Sequence, residues 1–283
     1  MRQIKLADGT QLPALGLGTW RIGESRAGRA AELAAIRHAI DIGYRLFDTA
    51  EMYGEGGAET LLGQALGDAL RAGAVTRDEL FIVSKVYPHN ATRRGTAQAC
   101  ERSLRRLGLA RIDLYLLHWA GPTPFAETID ALQALVETGR IGRWGVSNLD
   151  IDEMREIETL APGLCATDQV YYSASQRGPE FSLLPWLREH AMPMMAYSPI
   201  DQGGLANDQT LATIGHARGV TAAQVALAWV LAQPGVVAIP KAVRPAHLEQ
   251  NLAAAQMALT EEELRRIDAR FPPPDRKQPL GML

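Results

Sequence analysis

The chain has 283 residues, 47% hydrophobic and 22% charged, which is ordinary globular composition with enough apolar material for a large core and excludes a disordered protein. Its 29 basic and 32 acidic residues give a formal net charge of -3 without a basic block, so no electrostatic footprint for nucleic acid is present. Two cysteines, Cys100 and Cys165, are too few for a disulfide framework, and the charged start "MRQIKLADGT" lacks the apolar stretch of a secretion signal, so a cytoplasmic protein with buried free thiols is expected.

In chain order, a hairpin signal at Asp8-Gly9 comes first. Eight segments then read as strands: 14–18, 45–49, 80–86, 112–118, 142–146, 166–170, 193–197 and 236–239. Helical patterns lie between them. Leu33, Ile36 and Ile40 share one helical face, as do Ile129, Leu132, Leu135 and Val136. Thr221-x-x-Gln224 and Thr260-x-x-Glu263 have the form of capping boxes that start helices. The uncharged run 219–240 has the length of a membrane span, but Gln224, Gln233 and Pro234-Gly235 divide it, which predicts a buried helix followed by a strand.

Strand then helix, eight times over, is the rhythm of a single-domain (β/α)8 barrel of the α/β class, here with an N-terminal β-hairpin and one domain over residues 1–283. A doubly wound open sheet is the alternative, because a strand count does not show closure. The tail "FPPPDRKQPLGML" either lies across one barrel end or is loose.

Barrel enzymes build their sites at the carboxyl ends of the strands. The polar residues there are Asp48, Lys85, His118, Ser147, Asn148, Gln169, Tyr197 and Ser198. Period-two alternation puts Leu114, Leu116 and His118 on one strand face and Phe81, Val83 and Lys85 on another, so the last of each set tops the barrel interior if those faces line it. A lysine buried there needs a partner, and Asp48 is the counter-ion at hand. Tyr53, five residues past Asp48, can return over the same mouth on its loop. A nearby ammonium is expected to lower a phenol pKa from its usual value of about 10 and so tune Tyr53 as an acid, with His118 orienting a carbonyl oxygen.

Taken singly, each residue has a plainer reading: Asp48 as a helix cap, Lys85 and Tyr53 as surface residues, His118 as a core histidine. Together they are four complementary groups at one end of a barrel. The metal pattern of two histidines one residue apart is missing, so no metal site is expected. Nothing among the four supplies a hydride, and neither "GLGTWRIG" nor "GEGGAE" has G-x-G-x-x-G spacing. Cofactor-dependent reduction, Schiff-base chemistry at Lys85 and proton transfer all remain open at this point.

The segments "GYRLFDTAEMYG", "VSKV", "LYLLHW", "GVSN", "AYSP" and "IPK", in that order, resemble the aldo-keto reductase family over essentially the whole chain. The resemblance implies a (β/α)8 barrel that binds NADPH or NADP+, with NADH as the alternative, and reduces small aldehydes and ketones. It makes Tyr53 the general acid, Asp48 and Lys85 its ion pair and His118 the orienting residue. It implies cofactor contacts at Gly18, Thr19, Trp20, Asp48, Ser147, Asn148, Gln169, Tyr197, Ser198 and Pro199, and near the adenosine phosphate at Lys241, Ala242, Arg244, His247, Gln250 and Asn251. Trp20, Tyr87, His118 and Trp119 become substrate contacts.

Many members carry serine and arginine where this chain has Ala242 and His247. Arg244 is then the substitute ligand for a 2′-phosphate. The motifs and the short tail resemble the bacterial small-aldehyde branch that includes methylglyoxal reductases, which implies a broad pocket for aldehydes and α-oxoaldehydes. A redox-sensing or accessory subunit with slow turnover is the rival function. A monomer with no membrane attachment is expected.

Overall fold

The computed structural model describes residues 2–283. Strands β1 (Gln3–Lys5) and β2 (Gln11–Pro13) pair antiparallel, with Ile4 opposite Leu12. The turn between them uses Gly9 at φ 87, and Asp8 accepts a hydrogen bond from Thr10 N at 2.9 Å. This is the hairpin expected at Asp8-Gly9.

Eight parallel strands follow: β3 (Leu17–Gly18), β4 (Leu46–Asp48), β5 (Phe81–Val86), β6 (Ile112–Leu117), β7 (Ile141–Ser147), β8 (Cys165–Tyr171), β9 (Met194–Tyr197) and β10 (Val236–Ala238). Helices α1 (Arg29–Asp41), α2 (Gly57–Arg71), α3 (Arg93–Leu107), α4 (Phe125–Glu137), α5 (Ile151–Leu160) and α6 (Leu183–Glu189) make the first six crossovers. The last crossover uses two, α7 (Gln209–Arg218) and α8 (Ala222–Ala232), and α9 (Pro245–Ala254) and α10 (Glu261–Arg270) follow β10.

Closure separates the barrel from an open sheet. Neighbours run in sequence order from β3 to β10, and the two ends meet: Gly16 N donates to Ala238 O at 2.9 Å, Ala238 N to Ala14 O at 2.8 Å and Gly18 N to Pro240 O at 3.1 Å. Gly18 permits this seam, since a Cβ there would lie 2.6 Å from Ile239 O. The first strand is shorter than its predicted span, because residues 14–16 join the sheet by these bonds and an isolated bridge from Leu15 to Ala238.

The apolar side chains separate into two layers. Val83, Leu114, Leu116, Met195, Val237 and Ile239 fill the barrel, and Leu6 and Leu12 of the hairpin pack with Leu46 and Phe81 in the same cluster. The hairpin thus plugs the amino end and leaves the carboxyl end open. The larger layer lies between sheet and helices and buries Ile36, Ile40, Ile129, Leu132 and Leu135. Val136 shares their helix but is 37% exposed, because it falls at the edge of the buried face.

Both expected capping boxes form, Thr221 with Gln224 at the start of α8 and Thr260 with Glu263 at the start of α10. The uncharged run resolves into α8 and β10, and among the described residues no helix is long and apolar enough to cross a membrane.

Leu12 is 1% exposed and packs within the interior cluster. Leu12→Ala should therefore lower the unfolding free energy by about 2–5 kcal/mol, measured as a shift in the urea midpoint at unchanged m-value.

Candidate active site

Asp48 ends β4 and Lys85 lies one residue before the end of β5, so parallel pairing brings them together at the open mouth. Lys85 Nζ reaches Asp48 Oδ1 at 2.8 Å, Asp48 Oδ2 at 2.7 Å, Thr49 O at 2.9 Å and the Tyr53 hydroxyl at 3.3 Å. Both charges are out of water, with side-chain exposures of 0% and 3%. The amine is fully engaged and cannot act as a free nucleophile, which argues against Schiff-base chemistry at Lys85.

Tyr53 follows on a short 3-10 turn after β4, half-buried, with its ring centroid 5.0 Å from Lys85 Nζ. His118 sits one residue past β6 and stays tied to the sheet through its N–H to Val86 O at 3.1 Å. Its ring meets the Tyr53 ring edge-on, centroids 5.7 Å apart. The four residues read together from the sequence are therefore brought together in space.

The protonation states differ from the expectation in one respect. Burial, with the Asp48 carboxylate and Tyr197 adding to it, pushes the Tyr53 phenol well above its ordinary value. The lowering expected from Lys85 does not emerge, because burial of the phenol dominates and the Asp48 carboxylate raises its value further. Burial also pulls Lys85 below its ordinary value, against the pull of Asp48. His118 is held well below the usual imidazole range by burial and then by the Lys85 charge. The resting site thus combines an ion pair, a protonated phenol and a neutral imidazole.

On the next strands, Gln169 Nε2 donates to Asp48 Oδ1 at 2.8 Å, and Ser147 Oγ to Gln169 O at 2.8 Å. Asn148 donates to His118 O and to Ser147 Oγ, each at 3.1 Å, and accepts from the Tyr197 hydroxyl at 2.8 Å. Asn148 and Ser198 have left-handed backbone at φ 59 and φ 49, which turns both strand ends toward the mouth.

A cavity of about 730 Å³ opens over this cluster. It runs from Tyr53, His118 and Trp119 past Asn148, Gln169 and Tyr197 to Lys241, Arg244, His247, Gln250 and Asn251. Gly18, Trp20, Ser147, Ser198, Pro199 and Ala242 also line it. Two predicted contacts stand outside the lining. Thr19 is buried and donates its hydroxyl to Asp48 O at 2.9 Å, and Tyr87 packs edge-on to Trp119 with centroids 5.7 Å apart.

Sequence reasoning missed several lining residues. Arg21 follows Trp20 and holds its guanidinium 4.5 Å from that ring. Gln202 and Gly203 belong to the segment after β9, and Thr221 and Gln224, read only as a capping box, open α8 on the cavity wall. Met282 and Leu283 reach the cavity because the tail crosses the carboxyl end of the barrel, tied down by Lys277 to Asp152 at 3.2 Å. The tail thus takes the first of its two expected courses.

The charge pattern tests the cofactor expectation. Among the described residues, Asp48 is the only carboxylate side chain lining the cavity, and Lys85 already neutralises it. The cations Arg21, Lys241 and Arg244 face the same space, beside His247, whose imidazole is held below its ordinary value by burial and by the Arg244 charge. A long cleft with unopposed cations at one end and amide and aromatic groups at the other fits a phosphate-bearing dinucleotide.

The Aldo/keto reductase family model matches residues 14–270. The chain belongs to this family. It is 46% identical to the methylglyoxal reductase YeaE of Escherichia coli, over 100% of this chain and 99% of that protein. It is 32% identical to the glyoxal reductase of Bacillus subtilis, over 94% and 91%. An aldo/keto reductase of Klebsiella pneumoniae, crystallised in complex with NADP and acetate, superposes with a TM-score of 0.93 at 46% identity, covering 99% of each chain. As an aldo/keto reductase, the chain is an oxidoreductase with the (β/α)8 architecture described above.

A histidine whose folded pKa lies below its unfolded value of about 6.5 leaves the unfolded chain to take the extra proton as pH falls. Stability from this source is full above that value and is lost going down, by at most about 1.4 kcal/mol per pH unit. The urea-unfolding free energy of the wild type should therefore fall more steeply from about pH 7 to pH 5 than that of His118→Gln.

Proposed function

We propose that this aldo/keto reductase uses NADPH to reduce aldehydes and α-oxoaldehydes such as methylglyoxal, with Tyr53 as general acid. The observation that carries the reading is the Tyr53 hydroxyl at the mouth of the cleft, 3.3 Å from a Lys85 ammonium that is already paired with Asp48. The naming of a 46% identical relative as a methylglyoxal reductase and the NADP complex of a similar structure support substrate and cofactor.

When bound, the cofactor supplies a hydride to the carbonyl carbon. Ser147, Asn148 and Gln169 would hold its carboxamide and Tyr197 would stack on its ring. Gly18, Thr19, Trp20, Ser198 and Pro199 would border it on the way to Lys241, Ala242, Arg244, His247, Gln250 and Asn251 at the adenosine phosphate. Arg244 and Lys241 favour a 2′-phosphate, because a desolvated phosphate gains most from unopposed cations.

Tyr53 donates its proton to the carbonyl oxygen as negative charge develops there. The phenol is protonated in the resting site, as a donor must be. The phenolate left behind stands 3.3 Å from Lys85 Nζ, so the ammonium stabilises the charge only once it has formed. His118, neutral, can hydrogen-bond the carbonyl oxygen without adding a second buried cation beside Lys85. Trp20 and Trp119 offer a broad apolar wall suited to small aldehydes, with Tyr87 supporting Trp119 from behind.

Purified protein should consume NADPH when methylglyoxal is added. Tyr53→Phe keeps the ring and should lower kcat by about a hundredfold or more; equal turnover by that variant would sink the assignment of the acid. Arg244→Ala should weaken NADPH binding by about ten- to a hundredfold and leave NADH binding nearly unchanged, read by fluorescence titration with each cofactor.

A further inference from the structure

Tyr53 is carried by a short 3-10 turn between β4 and α2. The three residues after it, Gly54, Glu55 and Gly56, all have left-handed backbone, at φ 57, 51 and 85. Such a segment has many conformations open to it, yet its phenol stands at hydrogen-bond distance from Lys85.

Two buried carboxylates, Glu51 and Glu59, flank Tyr53 in sequence, and neither lines the cavity. Glu51 Oε1 accepts from Tyr87 N at 2.9 Å and from Asn90 Nδ2 at 3.0 Å, and its Oε2 accepts from Arg102 Nη2 at 3.1 Å. Glu59 accepts from Ser84 Oγ at 2.6 Å and from Arg106 Nε at 2.6 Å. Arg102 and Arg106 lie four residues apart on α3, hence on one helix face. Each reaches the Tyr53 segment on a different side of the phenol in sequence.

Glycines admit this approach. A Cβ on Gly56 would lie 2.6 Å from Arg106 Cδ, and one on Gly57 would lie 2.6 Å from Gly23 O in the first loop. The segment is therefore gripped by α3 on one side and by the Gly23 backbone on another. Buried ion pairs are often no more stabilising than packed apolar groups of similar volume, whereas their hydrogen bonds are directional.

We propose that Arg102–Glu51 and Arg106–Glu59 act as positioning residues for the reaction: two ion pairs that fasten the Tyr53 segment to α3 and to the end of β5, keeping the phenol against Lys85. The proposal rests on the reading of Tyr53 as proton donor. Releasing either pair lets the phenol drift, and an ångström of misplacement costs on the order of a hundredfold in rate.

The test compares Glu51→Ala, Glu51→Gln and Arg102→Met with the wild type and with Tyr53→Phe, each at equal folded concentration. Glu51→Ala should lower kcat by about ten- to a hundredfold, with NADPH affinity little changed and a larger solvent deuterium isotope effect as proton transfer becomes slower. Glu51→Gln keeps an oxygen for Tyr87 N and Asn90 but loses the ion pair with Arg102, so its kcat should fall between those of the wild type and Glu51→Ala, and a full wild-type rate would overturn the role of the ion pair. Arg102, 38% exposed at its side chain, can be replaced by methionine with little risk to folding and should give a smaller loss of the same kind if Glu51→Ala does not fold.

A fall in melting temperature with unchanged kcat and isotope effect would show a merely structural role and overturn the proposal. Equal losses of kcat and NADPH affinity would also overturn it. Turnover by Tyr53→Phe would instead remove the underlying reading, whereas an inactive Tyr53→Phe beside a fully active Glu51→Ala would remove the positioning role alone.

Discussion

A lysine ammonium taken out of water costs several kcal/mol even after the protein relaxes around it, and Lys85 is fully buried. Its charge is met by both oxygens of Asp48, the carbonyl of Thr49 and the Tyr53 hydroxyl. Every other part of the site is arranged around that requirement. Asp48 can pair with Lys85 only because β4 and β5 run parallel and in register, and Tyr53 can reach it only because the chain turns back directly after β4. Gln169 then approaches from the far side of the barrel, its amide also donating to Asp48, so closure of the sheet is itself a condition for the pair.

The same arrangement divides the work between the two ends of the barrel. The hairpin residues Leu6 and Leu12 seal the amino end with apolar contacts, so the interior beneath Lys85 is dry and its dielectric low. The carboxyl end carries the polar side chains and the cavity. With Asp48 neutralised, the cleft keeps an excess of positive charge at its Lys241 and Arg244 end and neutral groups at its Tyr53 and His118 end. The cationic side chains and the phenol are thus spatially separated within one cleft.

Much of this was legible in the sequence because it depends on local patterns. Eight strand segments are marked by apolar runs between turn residues, and the period of two put Phe81, Val83 and Lys85 on one face, as the interior cluster bears out. Thr221 and Thr260 declared their helices through a residue three positions on. Arg21 and Gln202 were not legible as cavity residues, since each becomes one only through loops folding over the mouth. Val136, read as sharing one helical face with Ile129, Leu132 and Leu135, is exposed because the buried part of that face is narrower than its apolar residues suggest.

What the sequence by itself determined is the list of groups and their order: an acid, a phenol, a lysine and a histidine at successive strand ends, with the cations of the last strand's loop far along the chain. What only the tertiary structure decided is their balance of charge. The lowering of the Tyr53 pKa expected from Lys85, already paired with Asp48 in that reading, left out the burial of the phenol itself, which raises its pKa, with the Asp48 charge raising it further. Sequence specifies which groups can meet; distance and desolvation, which scale with the packing of residues remote in the chain, set the proton each one holds.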